Sequence, residues 1–116
     1  MKQFKIHNWK YKKSNTFGTS IYICGDIEII KNICRKYCID IGLCVNIIQA
    51  DYIYSGGSET GVKIGLINYA RFPDKKINIT NKAIQLAKRI AIECCQFSFS
   101  IQTPKDTFYY YRVKKC

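Results

Sequence analysis

A glycine-rich turn between two β-rich stretches carries residues whose chemistry suits a nucleotide. It runs through Ser55, Gly56 and Gly57, directly after Tyr54. Glycine lets the backbone approach a ligand closely, and a tyrosine ring offers a flat face for stacking. The serine hydroxyl and the N–H groups of such a turn can donate to an anion. We therefore expect these four residues to contact a ligand, although ordinary turn chemistry would need the same glycines.

A second polar and aromatic stretch follows the returning strand. Arg71 can grip phosphate through two parallel hydrogen bonds, Phe72 can stack on a base, and Asn68 can bond a base edge or a ribose. The structural alternatives are a solvated strand end for Arg71 and a sheet residue facing water for Asn68. Three residues from the last third of the chain complete the predicted ligand-binding set, namely Gln102, Lys105 and Arg112.

The sequence offers little for catalysis. Its single histidine, His7, has no orienting carboxylate beside it, and the carboxylates are scattered along the chain. Neither a P-loop nor a GxGxxG motif is present, and the Gly56-Gly57 turn joins two strands instead of opening a helix. We therefore expect a binding protein that is not an enzyme, with no catalytic residue, no metal and no cofactor.

Composition narrows the possible partners. The 116 residues carry 19 Lys and Arg against 8 Asp and Glu, a net charge of +11, which favours anionic ligands. Hydrophobic residues make up 47%, which excludes disorder, and no apolar run approaches a membrane span. The seven cysteines lack metal-site spacing and are interpreted as buried reduced thiols. We expect one cytoplasmic domain over 1–116, with an edge strand or loose arm at 1–15 and a polar tail at 114–116.

Hydrophobic periodicity predicts two helices and five strands. A strand at 16–24 precedes a helix that Asp26 caps and Gly42 ends. The stretches 43–54 and 62–69 form an antiparallel hairpin, and Thr80 or Asn81 caps the second helix. Strands at 97–102 and 107–113 follow, the first with strict alternation. The predicted fold is α+β, with both helices on one face of a mostly antiparallel sheet of ferredoxin-like order and an aromatic, uncovered opposite face.

Five motifs together resemble the phage Thoeris anti-defence 1 family, over roughly residues 19–111. They are GDIE at 25–28, GLCV at 42–45, YIYSGGSETG at 52–61, GLINYARFP at 65–73 and QFSFSIQTP at 96–104. Where family members have proline before the Arg-Phe-Pro step, this chain has Ala70. Matching motifs hold Tyr54, Asn68, Arg71 and Phe72 as pocket candidates, with Arg112 in the terminal strand.

The resemblance implies a sponge for a signalling nucleotide. Family members sequester, without cleaving, the 1''-2' and 1''-3' isomers of glycocyclic ADP-ribose that bacterial TIR-domain proteins make, and so block Thoeris immunity. They pair as homodimers with pockets at the subunit interface. Some assemble into hexamers that also bind cyclic trinucleotides of the CBASS defence. The implied location is the cytoplasm of the infected bacterial host.

Three rival interpretations stay open on the residues alone. A small single-stranded RNA-binding domain would also use an aromatic, basic sheet face, although the Lys/Arg-Gly-Phe pattern of the common RNA motif is missing. A nucleotide-cleaving enzyme would turn its ligand over. A purely structural protein would use the aromatic surface for self-association and bind no small molecule.

Overall fold

The computed structural model describes residues 8–113, so His7, the rest of the predicted arm before Asn8 and the tail at 114–116 lie outside it. Residues 8–17 have no regular secondary structure, so this part of the predicted arm is not a strand. The elements, in chain order, are β1 (Gly18–Cys24), α1 (Ile27–Ile41), β2 (Asn46–Tyr54), β3 (Gly57–Ile67), α2 (Lys76–Glu93), β4 (Ser98–Gln102) and β5 (Thr107–Tyr111).

The five strands form one antiparallel sheet in the order β2-β3-β1-β4-β5. The first four strands follow the ferredoxin-like order, and β5 extends that sheet at one edge. Both helices lie against the same face. The predicted α+β class, with two helices over a mostly antiparallel sheet, is confirmed.

Local capping chemistry fixes both ends of α1, as predicted. The Asp26 carboxylate accepts hydrogen bonds from the N–H groups of Glu28 at 2.9 Å and Ile29 at 3.1 Å. Gly42 ends the helix in the left-handed conformation, at a φ of 76°, and its N–H donates to the Cys38 carbonyl. Glycine adopts this conformation without the strain that a side chain would add.

The second helix begins earlier than its sequence pattern predicts. Asp74 accepts hydrogen bonds from the Lys75 N–H and the Asn78 side chain, both at 2.8 Å, and so organises the first turn without a capping side chain at Lys75 itself. Ile79 is already buried against the sheet. The prediction that Thr80 or Asn81 caps α2 is therefore wrong, and Thr80 lies inside the helix.

The hydrophobic core lies between the helices and one face of the sheet. Ile21, Val62 and Ile64 from the strands meet Leu86 and Ile90 from α2, and all five are fully buried. Cys34 joins this core, where burial raises the pKa of its thiol to about 12. Cys24, Cys34, Cys38, Cys44 and Cys94 are free thiols. Cys95 is disulfide-bonded, which corrects the prediction of a reduced thiol there.

No helix over residues 8–113 combines the length and apolar composition needed to cross a membrane.

Candidate functional site

The face of the sheet opposite the helices carries a row of polar and aromatic side chains. Ile21 and Ile23 of β1 are buried under the helices, so the alternation of a strand places Tyr22 on the other side. Tyr22 pairs with Lys63 of β3 on one flank and with Ser100 of β4 on the other. We call this surface the open face; it holds Tyr22, Tyr52, Tyr54, Glu59, Lys63, Ser100, Gln102 and Tyr109.

Tyr22 lies at the centre of the open face and is held from two sides. Its hydroxyl donates a hydrogen bond of 2.6 Å to the Gln102 side-chain oxygen. The Lys63 ammonium lies 5.7 Å from the centroid of its ring. Lys63 takes part in none of the ion pairs found over residues 8–113. A flat ring, an amide and an unneutralised ammonium therefore lie together on three neighbouring strands.

Two glycines of β3 flank Lys63 on the open face, but only Gly61 leaves it bare, because the Asn46 side chain lies over Gly65. Gly61 pairs with Cys24, and Gly65 pairs with Ser20. A Cβ atom at Gly61 would collide with the Ile23 carbonyl oxygen and the Cys24 Cα, both backbone atoms. No larger residue fits there without moving the strand, so this part of the open face stays free of a side chain.

The hairpin of β2 and β3 extends beyond the rest of the sheet. The pairing of β1 with β3 ends at Gly61, whereas β2 and β3 stay paired as far as Tyr54 and Gly57. We call residues 51–60 the protruding hairpin. The Tyr54 hydroxyl donates to the Glu59 carboxylate at 3.0 Å, and the Tyr52 hydroxyl donates to the Val62 carbonyl at 2.5 Å. These bonds hold both rings on the open-face side of the hairpin.

Titratable groups beside the protruding hairpin are kept neutral. The hydrogen bond to Glu59 raises the pKa of Tyr54. Burial is the main cause of the raised pKa of Tyr52, and burial followed by the charge of Glu59 raises the pKa of Cys24. At physiological pH these groups are therefore phenols and a thiol. They can donate hydrogen bonds, but they offer neither a thiolate nor a phenolate nucleophile.

The second predicted cluster lies in the loop that follows β3. Asn68 is bonded in both directions: its amide donates to the Asn15 carbonyl at 2.9 Å and its oxygen accepts from the Asp74 N–H at 2.8 Å. Phe72 is half-exposed, with its ring centroid 5.5 Å from that of Tyr69. Arg71 is exposed in the same turn. Asn68 thus has a structural role in this loop, while Arg71 and Phe72 face solvent.

The two predicted clusters lie at opposite ends of β3. Tyr54, Ser55, Gly56 and Gly57 are at its start, and the group from Asn68 to Phe72 follows its end. This strand has 11 residues, so at about 3.3 Å per residue its ends lie roughly 33 Å apart. Within one chain the two clusters cannot hold the same small ligand.

The remaining predicted residues fall in three different places. Gln102 lies on the open face, as the partner of Tyr22. Lys105 is exposed in the turn between β4 and β5. Arg112 lies on the helix side, where its guanidinium donates to the Gln96 and Ala91 carbonyls at 3.0 Å each. Of the three, only Gln102 joins the open-face row.

Sequence reasoning missed Tyr22, Lys63 and Glu59. Alternation within the predicted strands was a sufficient signal that Tyr22 faces away from Ile21 and Ile23. The pairing of Tyr22 with Lys63 depends on strand order, which no local pattern reveals. No group of three or more His, Cys, Asp or Glu residues able to hold a metal ion occurs in the part of the chain from Asn8 to Val113.

Comparison with known proteins gives two structural neighbours. No protein-family model matches the sequence, and neither does any curated protein. A phage SAM lyase in the apo state aligns with a TM-score of 0.68 at 17% identity, covering 84% of this chain and 90% of the lyase chain. A phage SAM lyase in complex with S-methyl-5'-thioadenosine aligns with a TM-score of 0.58 at 15% identity, covering 89% and 95%.

These neighbours correct one prediction. The expectation that the chain is not an enzyme is contradicted, because the two structures that share its fold are of a lyase. They are phage proteins, and one of them binds the nucleoside S-methyl-5'-thioadenosine. Both facts are consistent with the expected phage anti-defence protein that binds a nucleotide-like ligand. At these identities the likeness shows the fold alone. Membership in the Thoeris anti-defence 1 family stays a prediction.

Proposed function

We propose that the open face binds an adenosine-type ligand and that the chain is a lyase acting on a sulfonium nucleoside of the S-adenosylmethionine class. The observation that carries the proposal is the row of Tyr22, Lys63 and Gln102 on the uncovered side of a fold shared with a SAM lyase. Consumption of a host nucleoside in the cytoplasm of an infected cell would serve the anti-defence role that the motifs predict.

The reaction needs no nucleophile or base from the protein. In S-adenosylmethionine the bond between the sulfonium sulfur and the aminobutyrate chain breaks, and its electron pair goes to sulfur, which neutralises the cation and releases methylthioadenosine. The substrate's own carboxylate oxygen forms the new bond at the same carbon and closes a five-membered lactone. Atoms and charges balance without an outside reactant. Catalysis then consists of holding the substrate chain in the cyclising geometry.

The open-face side chains match the parts of such a substrate. Tyrosine rings offer stacking faces for adenine, and Gln102 offers an amide for its polar edge. The Lys63 ammonium can bind the substrate carboxylate. It thereby limits the angles from which that carboxylate attacks the carbon bonded to sulfur. Glu59 is the acidic side chain beside the tyrosines of the protruding hairpin, so it suits the positive sulfonium or ammonium. The raised pKa values of Cys24, Tyr52 and Tyr54 agree with a site that works without ionised nucleophiles.

The test is a turnover assay with separated products. S-adenosylmethionine is incubated with the purified protein, and methylthioadenosine is quantified by mass-resolved chromatography against a no-protein control. The proposal predicts protein-dependent methylthioadenosine that falls in Tyr22→Ala and Lys63→Gln and persists in Lys36→Gln, a matched change on an exposed face of α1. Product formation at the no-protein rate would refute the lyase assignment.

The net charge of +11 favours a second ligand class for the same face. Anionic signals of the glycocyclic ADP-ribose type, or the cyclic oligonucleotides of CBASS, combine bases for stacking with phosphates for Lys63. In the same assay these compounds replace S-adenosylmethionine, and the amount bound and the product are both recorded. Affinity for long single-stranded RNA that falls steeply with salt would instead favour the RNA-binding alternative.

The protruding hairpin also supports a homo-oligomer. Ile53 is 81% exposed on a two-stranded ribbon that neither α1 nor α2 covers. Such ribbons are marginally stable alone, and an exposed apolar tip is typical of an interface. Ile53→Asp should lower the molar mass measured by light scattering to that of one chain if the tip packs on a second copy. An unchanged mass would exclude this contact.

A further inference from the structure

A groove on the opposite side of the sheet has the features of a second binding site. It lies between the last turns of α2 and the strands β4 and β5, and it encloses about 280 Å³. That volume is near the lower end of the range for small-molecule pockets. Of its lining, only Tyr111 belongs to the open-face side of β5, where its ring centroid lies 5.6 Å from that of Tyr109. The residues that carry the argument are Lys88, Ile92, Phe97, Phe99, Tyr110 and Arg112.

The floor of the groove is aromatic. The rings of Phe99 and Tyr110 are stacked on each other, with centroids 5.0 Å apart and an interplanar angle of 13°. Phe97 and Ile92 add apolar walls and are exposed, although side chains of this kind are normally buried by packing. A flat apolar ligand would remove these exposed walls from water and pack against the stacked pair.

Two cations at the groove, Lys88 and Arg112, have no acidic partner among residues 8–113. Lys88 places its ammonium 5.8 Å from the centroid of the Tyr110 ring. In Arg112, Nε donates to the Gln96 carbonyl and Nη2 donates to the Ala91 carbonyl, which fixes the guanidinium. A guanidinium has five N–H donors, so others can bind a ligand. The ion pairs of residues 8–113 join Lys31 to Glu28, Lys82 to Asp74 and Arg89 to Glu93, so neither groove cation is neutralised by one.

We propose that this groove binds a small aromatic carboxylate, with its ring packed against the stacked Phe99–Tyr110 pair and the exposed Phe97, and its carboxylate between Lys88 and Arg112. Charge complementarity selects an anion, and the parallel rings select a flat body. The limited volume selects a single ring over a whole nucleotide. The proposal does not rest on the lyase activity, because the row of Tyr22, Lys63 and Gln102 lies on the other side of the sheet.

The groove can be tested with a fluorinated probe. Binding of 4-fluorobenzoate is followed by ¹⁹F NMR, with neutral 4-fluorobenzamide and non-aromatic hexanoate as competitors. We expect a dissociation constant in roughly the millimolar range for so small a ligand. Hexanoate and the benzamide should compete at least about fivefold less well than benzoate itself, which is the reference competitor. Equal competition by the benzamide would overturn the role of the cations.

A matched pair of variants locates the probe. Ile92→Glu places a negative charge at the groove, and Ile77→Glu makes the same change at an exposed position in the first turn of the same helix. We expect Ile92→Glu to weaken 4-fluorobenzoate binding at least about tenfold, and Ile77→Glu to change it less than about twofold. Lys88→Gln should weaken it about 1.5- to fivefold, in line with the loss of one exposed charge contact.

The outcomes separate this inference from the lyase proposal. Equal effects of the two glutamate variants, or probe-induced ¹⁵N shifts on Tyr22 and Lys63 in place of the groove residues, would overturn it. Methylthioadenosine production should be the same in Ile92→Glu and the unmodified protein. A loss of turnover in Ile92→Glu with an unchanged unfolding curve would mean that the groove belongs to the first site.

Discussion

The two faces of the single sheet are built from alternate residues of the same strands, yet they serve different ends. On the face covered by the helices, Ile21, Ile64 and Ile101 are fully buried in the core. On the open face their immediate neighbours are Tyr22, Lys63 and Gln102, and Tyr22 contacts both of the others. Because successive side chains point to opposite sides, each strand contributes to the core and to the candidate site at once.

This difference separates stability from binding. The covered face gains free energy from the apolar surface that it removes from water, so its substitutions should change the folded fraction. The open face exposes its rings and leaves Lys63 unpaired, so its substitutions should change ligand contacts instead. Adjacent residues of one strand can therefore be used to test either property while the other is held fixed.

The sharpest test of the comparison is the same substitution on each face. Ile64→Ala removes a side chain with no solvent exposure, whereas Ile48→Ala removes one that is 54% exposed on the open face of β2. We expect Ile64→Ala to lower the free energy of unfolding by about 2–5 kcal/mol, and Ile48→Ala by less than about 1 kcal/mol. Urea denaturation measures both, and equal losses would mean that the open face is covered in solution.

Glycine substitutions test how closely the strands approach. In Gly61→Ala the new Cβ would meet the backbone of Ile23 and Cys24, and overpacking of this kind costs about 1–3 kcal/mol. In Gly56→Ala the nearest atom is Cε2 of the Tyr54 ring at 3.4 Å, which can give way. Thermal unfolding should therefore show a clear loss only for Gly61→Ala. A neutral Gly61→Ala would show that the strands can separate there.

Tyr22→Ala should break binding and spare stability. Stacking on a base is worth about 1–3 kcal/mol, so affinity for methylthioadenosine should fall roughly 5- to 150-fold. The control is Tyr11→Ala, since Tyr11 is 88% exposed and belongs to no strand. Isothermal titration gives the affinities and urea denaturation the stabilities. A Tyr22→Ala protein that binds normally would remove the open face from the account.

The smallest expected effect is a pH dependence that comes from Tyr54. Its hydrogen bond to Glu59 raises the pKa of the phenol in the folded protein. The bond therefore stabilises the fold fully below the unfolded pKa of about 10, and this contribution is lost as the pH rises through the higher folded pKa. The urea midpoint of the protein should exceed that of Tyr54→Phe by a small constant amount from pH 7 to 9, and the difference should vanish at higher pH. A difference that grows above pH 10 would contradict this assignment.

Local patterns predicted the fold well, because its signals are local. Asp26 and Gly42 carry the capping chemistry of α1 in their own side chains and backbone, and the alternation at 97–102 needs no partner strand to be recognised. The start of α2 was missed because Asp74 organises it through contacts with Asn78 and Lys82. The sequence pattern instead favoured Thr80 or Asn81 as the cap.

The candidate site was harder to predict because its contacts are remote in sequence. Tyr22 and Gln102 are 80 residues apart and meet only because β1 and β4 are neighbours. Arg112 looked like a phosphate ligand, but its guanidinium bonds to the carbonyls of Ala91, in the last turn of α2, and of Gln96, just after it, a contact that depends on how the helix packs. Aromatic and basic composition identified the kind of ligand to expect and left the face that would hold it undetermined.

One experiment tests the central claim, that the open face is the functional face. The chain is produced with ¹³C-labelled tyrosine rings, the signals are assigned by single Tyr→Phe variants, and methylthioadenosine is titrated in. The account predicts that Tyr22 and Tyr52 on the open face shift with one common dissociation constant. It also predicts that Tyr37, a buried residue of α1 whose hydroxyl bonds to α2, and Tyr110, on the helix side, stay fixed. Shifts confined to Tyr110 or to the loop tyrosine Tyr69 would contradict the claim.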